Sequence, residues 1–181
     1  MRERANGSVS EGDSWITDDM RAIVGRPFNK IRSYPVSISD IRKWAIAVHY
    51  PEAPPRLYWD EEYASATAFA GVVAPEDFNP FAWISAEPGM RARRAAFDAD
   101  YLERGFGIAG PGLTTNLNAG LSTEYGERMR PGDVIVGHSE VVSYTEKHGR
   151  MGRMLITVIR TVWANQNGAR VKRTDQTSIR Y

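Results

Sequence analysis

The sequence contains no cysteine, and that absence removes disulfides, thiolate nucleophiles and cysteine-bound metals together. Histidine is nearly as scarce, at three residues. His49, His138 and His148 include no pair at the spacing of a helical zinc motif, and neither a Gly-x-Gly-x-x-Gly nor a phosphate-loop pattern occurs. No metal or cofactor is therefore expected. An excess of one charge is also missing: 23 basic residues face 22 acidic ones, leaving a net charge of +1, without the basic bias that nucleic-acid binding leaves. Every hydrophobic stretch is broken by Arg, Glu, Gly or Pro, well short of the roughly 18 residues that span a bilayer. Met1 to Asp13 is polar and has no apolar segment of the kind a secretion signal needs. These residues read as a frayed tail, and 14–181 as a single domain of a cytoplasmic protein with no membrane or nucleic-acid partner.

What is present is an ordinary globular composition, 42% hydrophobic and 25% charged over 181 residues, enough for one substantial core. Helix-like segments come first and strand-like segments after Thr114, which is an α+β pattern. Ser37 to Val48 predicts a helix: Ser37 can cap it, Asp40 falls where a capping box places an acid, and Val36 can staple against Ile41. Ile41, Trp44, Ala45 and Val48 repeat at helical spacing and form its buried face. A second helix is predicted from Glu61 to Ala70, started by Asp60 and stopped by Gly71. A third is predicted over Arg91 to Arg104, followed by a Gly/Pro-rich surface loop from Gly105 to Gly112.

Arg130-Pro131-Gly132-Asp133 has the residues of a type II turn, so a strand should run from Val134 to Lys147 and turn at His148-Gly149-Arg150. The next is predicted from Met151 to Ala164, turning through Asn165-Gln166-Asn167-Gly168, and the last from Ala169 to Tyr181. Strands this long must twist and curl, and the apolar helices ahead of them are the natural filling. The expected fold is thus a long curled antiparallel β-sheet wrapped around a central α-helix.

That layout resembles the hotdog fold, and particular residues resemble its MaoC-like dehydratases, the (R)-specific enoyl-CoA hydratase superfamily. Leu57-Tyr58-Trp59-Asp60-Glu61-Glu62-Tyr63-Ala64 followed by Phe69-Ala70-Gly71-Val72-Val73-Ala74-Pro75 is similar to the family's amino-terminal lobe. Asn118-Ala119-Gly120, Arg130 to Asp133 and Asn167-Gly168 fall where the family has its returning strand and hairpins. The resemblance covers Val36 to Tyr181.

Active members of that family carry Asp-x-Asn-Pro-x-His, in which Asp and His act on water and on the substrate α-carbon. Syn hydration of an enoyl thioester needs both a base for water and an acid for carbon within hydrogen-bond reach. Aligned through Asp60 to Ala64, the four named motif positions hold Ala53, Pro55, Arg56 and Tyr58. Ala53 cannot titrate, and a tyrosine with an ordinary pKa of about 10 is a poor base at neutral pH. No catalytic residue is assigned; a register shift would offer His49 and Glu52 instead. Asp77-Phe78-Asn79-Pro80 matches the motif's first four positions but has Ala82 where the His belongs, and it follows the Gly-aliphatic-Ala-Pro step instead of preceding it. It reads mainly as the lead-in to the central helix.

Tyr58, Asp77 and Asn79 are the candidate substrate-binding residues, and Arg91, Arg93 and Arg94 the candidate contacts to coenzyme A phosphates. Leu155, Ile159 and Trp163 lie on a strand apolar on both faces, one expected to meet the helix and the other a second subunit. The resemblance then implies a probe-able division of labour. This chain would be the non-catalytic, pocket-forming subunit of an enoyl-CoA hydratase or 3-hydroxyacyl thioester dehydratase, paired as a heterodimer or heterotetramer with a MaoC-like catalytic subunit. Its substrate would be an acyl-CoA or acyl-ACP, with the coenzyme A thioester as substrate and not as cofactor. The alternatives are a self-sufficient homodimeric hydratase using His49 with Glu52, and a hotdog protein that binds acyl thioesters without turnover.

Overall fold

Pro131 and Gly132 close the predicted turn: Gly132 adopts φ +89°, the Asp133 amide donates to the Arg130 carbonyl at 3.1 Å, and the Asp133 carboxylate accepts from the Arg130 amide at 2.7 Å. The computed structural model describes residues 14–86, 98–150 and 152–181. The strand after this turn, β3 (Val136–Gly149), begins two residues later than predicted. The Val134 amide is taken by the Gln166 side chain at 2.9 Å and the Ile135 amide by the Ser33 hydroxyl at 2.8 Å, so neither is free for the ladder. β4 (Gly152–Ala164) and β5 (Arg170–Arg180) complete a meander. Its second hairpin turns on Gly168 at φ +80° and on Asn165, whose side chain accepts from the Asn167 and Ala169 amides at 3.0 Å each. His148, expected in a turn, instead pairs with Arg153 inside the β3–β4 ladder.

β2 (Asn116–Tyr125) lies against β5, and β1 (Pro27–Arg32) against β3. The five-stranded antiparallel sheet has the order β1-β3-β4-β5-β2. β1 had no sequence signal, since Phe28-Asn29-Lys30-Ile31 does not alternate and Asn29 sits at φ +48°. Irregularities in register between Val141 and Ser143 and between Asn118 and Gly120 interrupt the ladder, and such bulges sharpen the local bend and twist of a strand.

β4 alternates as a two-faced strand: Leu155 and Thr157 are buried, while Ile156, Val158 and Val162 are half-buried. The second row is not purely apolar. Arg160 lies in it, opposite Glu140 and Asp175 in the ladder, and pairs with Asp175 at 2.8 Å and Glu140 at 3.9 Å. Arg173 continues the row to Glu124 at 3.0 Å.

α2 (Ile38–His49) is the predicted first helix, with the Ser37 hydroxyl accepting from the Asp40 amide at 3.0 Å. Its Ile41 joins Val36, Ala64, Val72, Ala74, Phe78, Phe81, Met129, Ile135 and Val171 in the main core. Trp44 meets Phe78 edge-on at 5.8 Å, and Phe81 meets Trp163 of β4 at 5.1 Å. Val48, placed on the buried face by its spacing, is instead exposed, since the core reaches α2 only through its first two turns, to Trp44 and Ala45. The second helix is shorter than predicted: α3 covers Glu61–Ser65 only. The Thr67 hydroxyl and the Gly71 amide both bond the Ala64 carbonyl, at 2.7 and 3.0 Å, and fold the chain back. The helix expected after Pro80 is met by a 3-10 turn over Ala82–Ala86, beyond which the described residues stop until 98. Of the predicted Arg91 to Arg104 helix, the described part is α4 (Tyr101–Gly105). Arg91, Arg93 and Arg94 lie outside the described residues, as does the tail to Asp13.

α4 is bolted to the sheet by a buried charge network. Arg180, 2% exposed, forms paired bonds to Glu103 at 2.7 and 2.8 Å, and also donates to the Ala99 carbonyl, Asp100 and Thr157. Burial alone would push the Glu103 carboxyl up, yet the Arg180 guanidinium outweighs it and holds it below the usual range. The segment before α1 (Asp18–Ala22) is tied down by Glu146, which accepts from the Ser14 hydroxyl and the Trp15 amide, while Arg153 stacks on Trp15 at 4.4 Å and pairs with the same carboxylate. No helix among the described residues is long and apolar enough to cross a membrane.

Candidate functional site

α2 ends at His49 and releases the chain into the segment that holds the motif positions. Ala53 is exposed there, on the wall of an open groove of about 640 Å³ formed with Arg42, Ile46, Pro54, Trp59 and Asp60. Arg56 serves as a brace: its guanidinium donates to the Asp60 carboxylate at 2.7 and 2.9 Å and lies over the Tyr63 ring at 4.7 Å. Asp60 in turn caps α3 by accepting from the Tyr63 amide at 3.0 Å. That amide bond first, and Arg56 second, hold the Asp60 carboxyl below its usual value.

Tyr58 is half-buried, its ring 5.9 Å from that of His49. Its hydroxyl accepts from Arg128 at 3.4 Å, and the same arginine donates to Glu76 at 2.5 Å. Asp77, exposed, accepts from the Tyr125 hydroxyl at 2.5 Å; this bond raises the phenol to about 12. Tyr58 and Asp77 are therefore brought to neighbouring positions through Arg128 and Glu76. Sequence reading missed Arg128 because its partners lie 52 and 70 residues away.

Asn79 belongs elsewhere. Its side-chain oxygen accepts from the Phe81 amide at 2.9 Å, an Asx turn that accounts structurally for the Asn-Pro step. It lines a groove of about 450 Å³ between α2 and the Phe78 to Trp83 segment, with Tyr34, Val36, Asp40, Lys43, Trp44 and Trp83 among its walls. The Nε1 atoms of Trp44 and Trp83 are buried without a hydrogen-bond partner among the described residues. A buried donor left unpaired costs about 1–3 kcal/mol.

The rescue pair is not assembled. His49 Nδ1 lies 2.8 Å from the Ala45 carbonyl, and because a carbonyl only accepts, Nδ1 carries the proton of that bond. Glu52 is exposed, and it meets His49 only through the backbone, its amide donating to the His49 carbonyl at 2.8 Å, with no hydrogen bond or ion pair between the two side chains among those of the described residues. Among the described residues no histidine pairs with a carboxylate, and no cluster of His, Asp or Glu could hold a metal. The motif segment offers a hydrogen-bonding hydroxyl in Tyr58 and no acid/base couple.

A family model described as the FAS1-like dehydratase domain region matches residues 22–174. The chain belongs to this dehydratase family. Its fold is that of the MaoC-like hotdog proteins. It is similar to the MaoC-like dehydratase from Rhodospirillum rubrum, with 21% identity and a TM-score of 0.55 over 87% of this chain and 92% of that one. Similarity to the ChsH1-ChsH2 complex from Mycobacterium tuberculosis gives a TM-score of 0.64 at 17% identity, over 90% of this chain and 89% of that one. The HadBC (3R-hydroxyacyl-ACP dehydratase) complex from the same organism matches at a TM-score of 0.50 and 17% identity, over 83% and 95%. No curated protein matches the sequence. Membership of the dehydratase family makes a hydro-lyase type of reaction the chemistry to which this chain is related.

Proposed function

We propose that this dehydratase-family chain is a non-catalytic, pocket-forming subunit of an enoyl-CoA hydratase or 3-hydroxyacyl thioester dehydratase, and that a MaoC-like hotdog partner supplies the Asp and His. The observation that carries the reading is the motif segment itself: Ala53 has no titratable group and is exposed, Arg56 is consumed as a brace on Asp60, and Tyr58 faces Arg128 and no carboxylate. A protein that removes a proton from water and delivers one to carbon needs both groups in reach, and His49 and Glu52 are linked through the backbone alone, not through their side chains. The complexes named among the similar structures support a heteromeric arrangement, heterodimer or heterotetramer. In this reading Tyr58, Asp77 and Asn79 contact an acyl-CoA or acyl-ACP and Arg91, Arg93 and Arg94 its phosphates. No cofactor takes part, and the complex works in the cytoplasm.

The test is hydration of crotonyl-CoA and of bulkier enoyl-CoA esters, followed by loss of enoyl absorbance, with the purified chain alone and with a MaoC-like partner bearing an intact Asp-x-Asn-Pro-x-His. The expected result is no turnover alone, and turnover with the partner that exceeds the partner's own on the bulkier esters. Substantial turnover by the chain alone would return the self-sufficient homodimer. Calorimetric binding of the esters without turnover in either arrangement would leave an acyl-thioester-binding protein.

A further inference from the structure

The edge strand β1 gathers cations that no carboxylate of the chain takes up. Arg26 precedes it, Lys30 and Arg32 lie on it, all three are exposed, and the stretch from Val24 to Val36 holds no acidic residue. Arginines elsewhere are held by carboxylates, as Arg42 is by Glu61 at 2.9 Å and Arg160 by Asp175 at 2.8 Å, whereas no ion pair among the described residues holds Arg26, Lys30 or Arg32. The acid in the facing strand, Glu140 opposite Pro27, already serves Arg160. The same edge exposes apolar side chains: Val24 at 41%, Tyr34 at 67%, and Val136, at 37%, opposite Arg32 in the ladder. Cations and a proline on an edge keep it from pairing with another strand, but that role calls for no exposed Tyr or Val. Large apolar groups set among charges make the mixed surface of a protein interface. Spacing points the same way. From Arg26 to Arg32 the chain covers up to about 20 Å at about 3.3 Å per residue, too spread for the three cations to converge on one phosphate group. Two residues beyond Arg32, Tyr34 stands in the wall of the groove of about 450 Å³ that Asp40, Lys43 and Asn79 also line.

We propose that the β1 edge from Val24 to Tyr34 docks the acidic surface of an acyl carrier protein, which presents its acyl thioester at the groove that begins at Tyr34. The inference rests on the acyl-thioester reading above and selects a carrier protein over free coenzyme A. A positive edge that meets an acidic partner speeds encounter and fixes orientation, and its effect weakens with salt.

The probe is an acidic acyl carrier protein bearing its phosphopantetheine arm without an acyl group, titrated into the full nitrogen-15-labelled chain, with coenzyme A titrated separately. The carrier should shift the backbone amides of 24–34 and of Val136, and its affinity should fall about tenfold or more as ionic strength rises from about 0.05 to about 0.5 M. The double variant Lys30→Glu/Arg32→Glu, checked for folding by circular dichroism, should weaken docking about tenfold or more at low salt. Lys147→Glu, at an exposed cation toward the far end of β3, should change it by about twofold or less. No binding, shifts confined to other residues, equal weakening by Lys147→Glu, or coenzyme A shifting the same amides as strongly would each overturn the proposal. The shifts and their salt dependence are read on the unmodified chain, so a variant that fails to fold does not remove the test. Hydration of coenzyme A esters with the catalytic partner involves no carrier protein. Absence of docking beside intact hydration therefore overturns this inference alone, and turnover by the chain alone overturns the subunit reading alone.

Discussion

Replacing Arg180 by methionine removes the cation from the most deeply buried charge network described here and leaves Glu103, which is 0% exposed, facing an apolar side chain. Two bonds to Glu103 are lost, along with those to the Ala99 carbonyl, Asp100 and Thr157. Breaking a buried pair on one side costs about 3–5 kcal/mol, a large share of the roughly 5–15 kcal/mol that separates folded from unfolded states in ordinary domains. The pH dependence gives the prediction its sharper edge. In the native protein Glu103 is held below its ordinary value of 4.5, so its contribution is present above that value and lost as pH falls through the folded pKa. In Arg180→Met burial, the largest influence on this carboxyl, is opposed only by the weaker hydrogen bonds from its own backbone and from Tyr144, and the folded carboxyl rises. The penalty of the variant is then full at neutral pH and shrinks as the carboxyl takes up a proton. Urea denaturation followed by circular dichroism at pH 7 and pH 5 should show the gap between the two proteins narrowing at the lower pH. The double variant Arg180→Met/Glu103→Leu should recover about half of the loss or more at pH 7, because two apolar groups replace a broken pair. Asp100 retains its bond from the Gly112 amide at 2.6 Å in both. A loss below about 1 kcal/mol, the scale of an exposed pair, or a gap that does not change with pH, would refute the account of this network as a bolt between α4 and the sheet.

Tyr125 should ionise near 12, and Asp77→Asn should bring it back toward 10, as read by alkaline difference spectra against Tyr125→Phe. His49→Ala and Glu52→Ala should each leave partner-supported hydration within about twofold of the unmodified chain, since well under 1 kcal/mol of transition-state stabilisation is at stake; a large loss from both would revive them as the catalytic pair. Gly126→Ala should destabilise by about 1–3 kcal/mol, because the added carbon would sit 2.1 Å from the Arg170 carbonyl oxygen and push β2 off β5; an unchanged urea midpoint would contradict that packing.

The parts of the fold that were legible beforehand are those whose cause is local. Ser37 bonds an amide three residues on, and Gly132 and Gly168 meet the backbone demands of turns inside a four-residue window. The three strands of the meander follow from those turns. What was not legible depends on groups remote in sequence. The start of β3 moved because Gln166 and Ser33 take two amides, α3 stopped early because Gly71 returned to Ala64, and the charged row through Arg160 exists only once Glu140 and Asp175 are set beside it by the ladder. A strand read in isolation as apolar on both faces thus carries one charge, Arg160, among the half-buried Ile156, Val158 and Val162 of one of them.

The candidate site divides along the same line. The expectation that Ala53, Pro55, Arg56 and Tyr58 stand at the motif positions came from the family resemblance and the spacing to Asp60–Ala64. The pairings around those residues were not legible there, because they join groups remote in sequence. With Arg42 on Glu61, Arg56 on Asp60 and Arg128 joining Tyr58 to Glu76, the three arginines near the motif each bond a carboxylate of this same chain. An arginine so engaged is a poor candidate for seizing a phosphate, since binding would first have to break bonds of the same kind. Any phosphate contact therefore falls to cations beyond this segment.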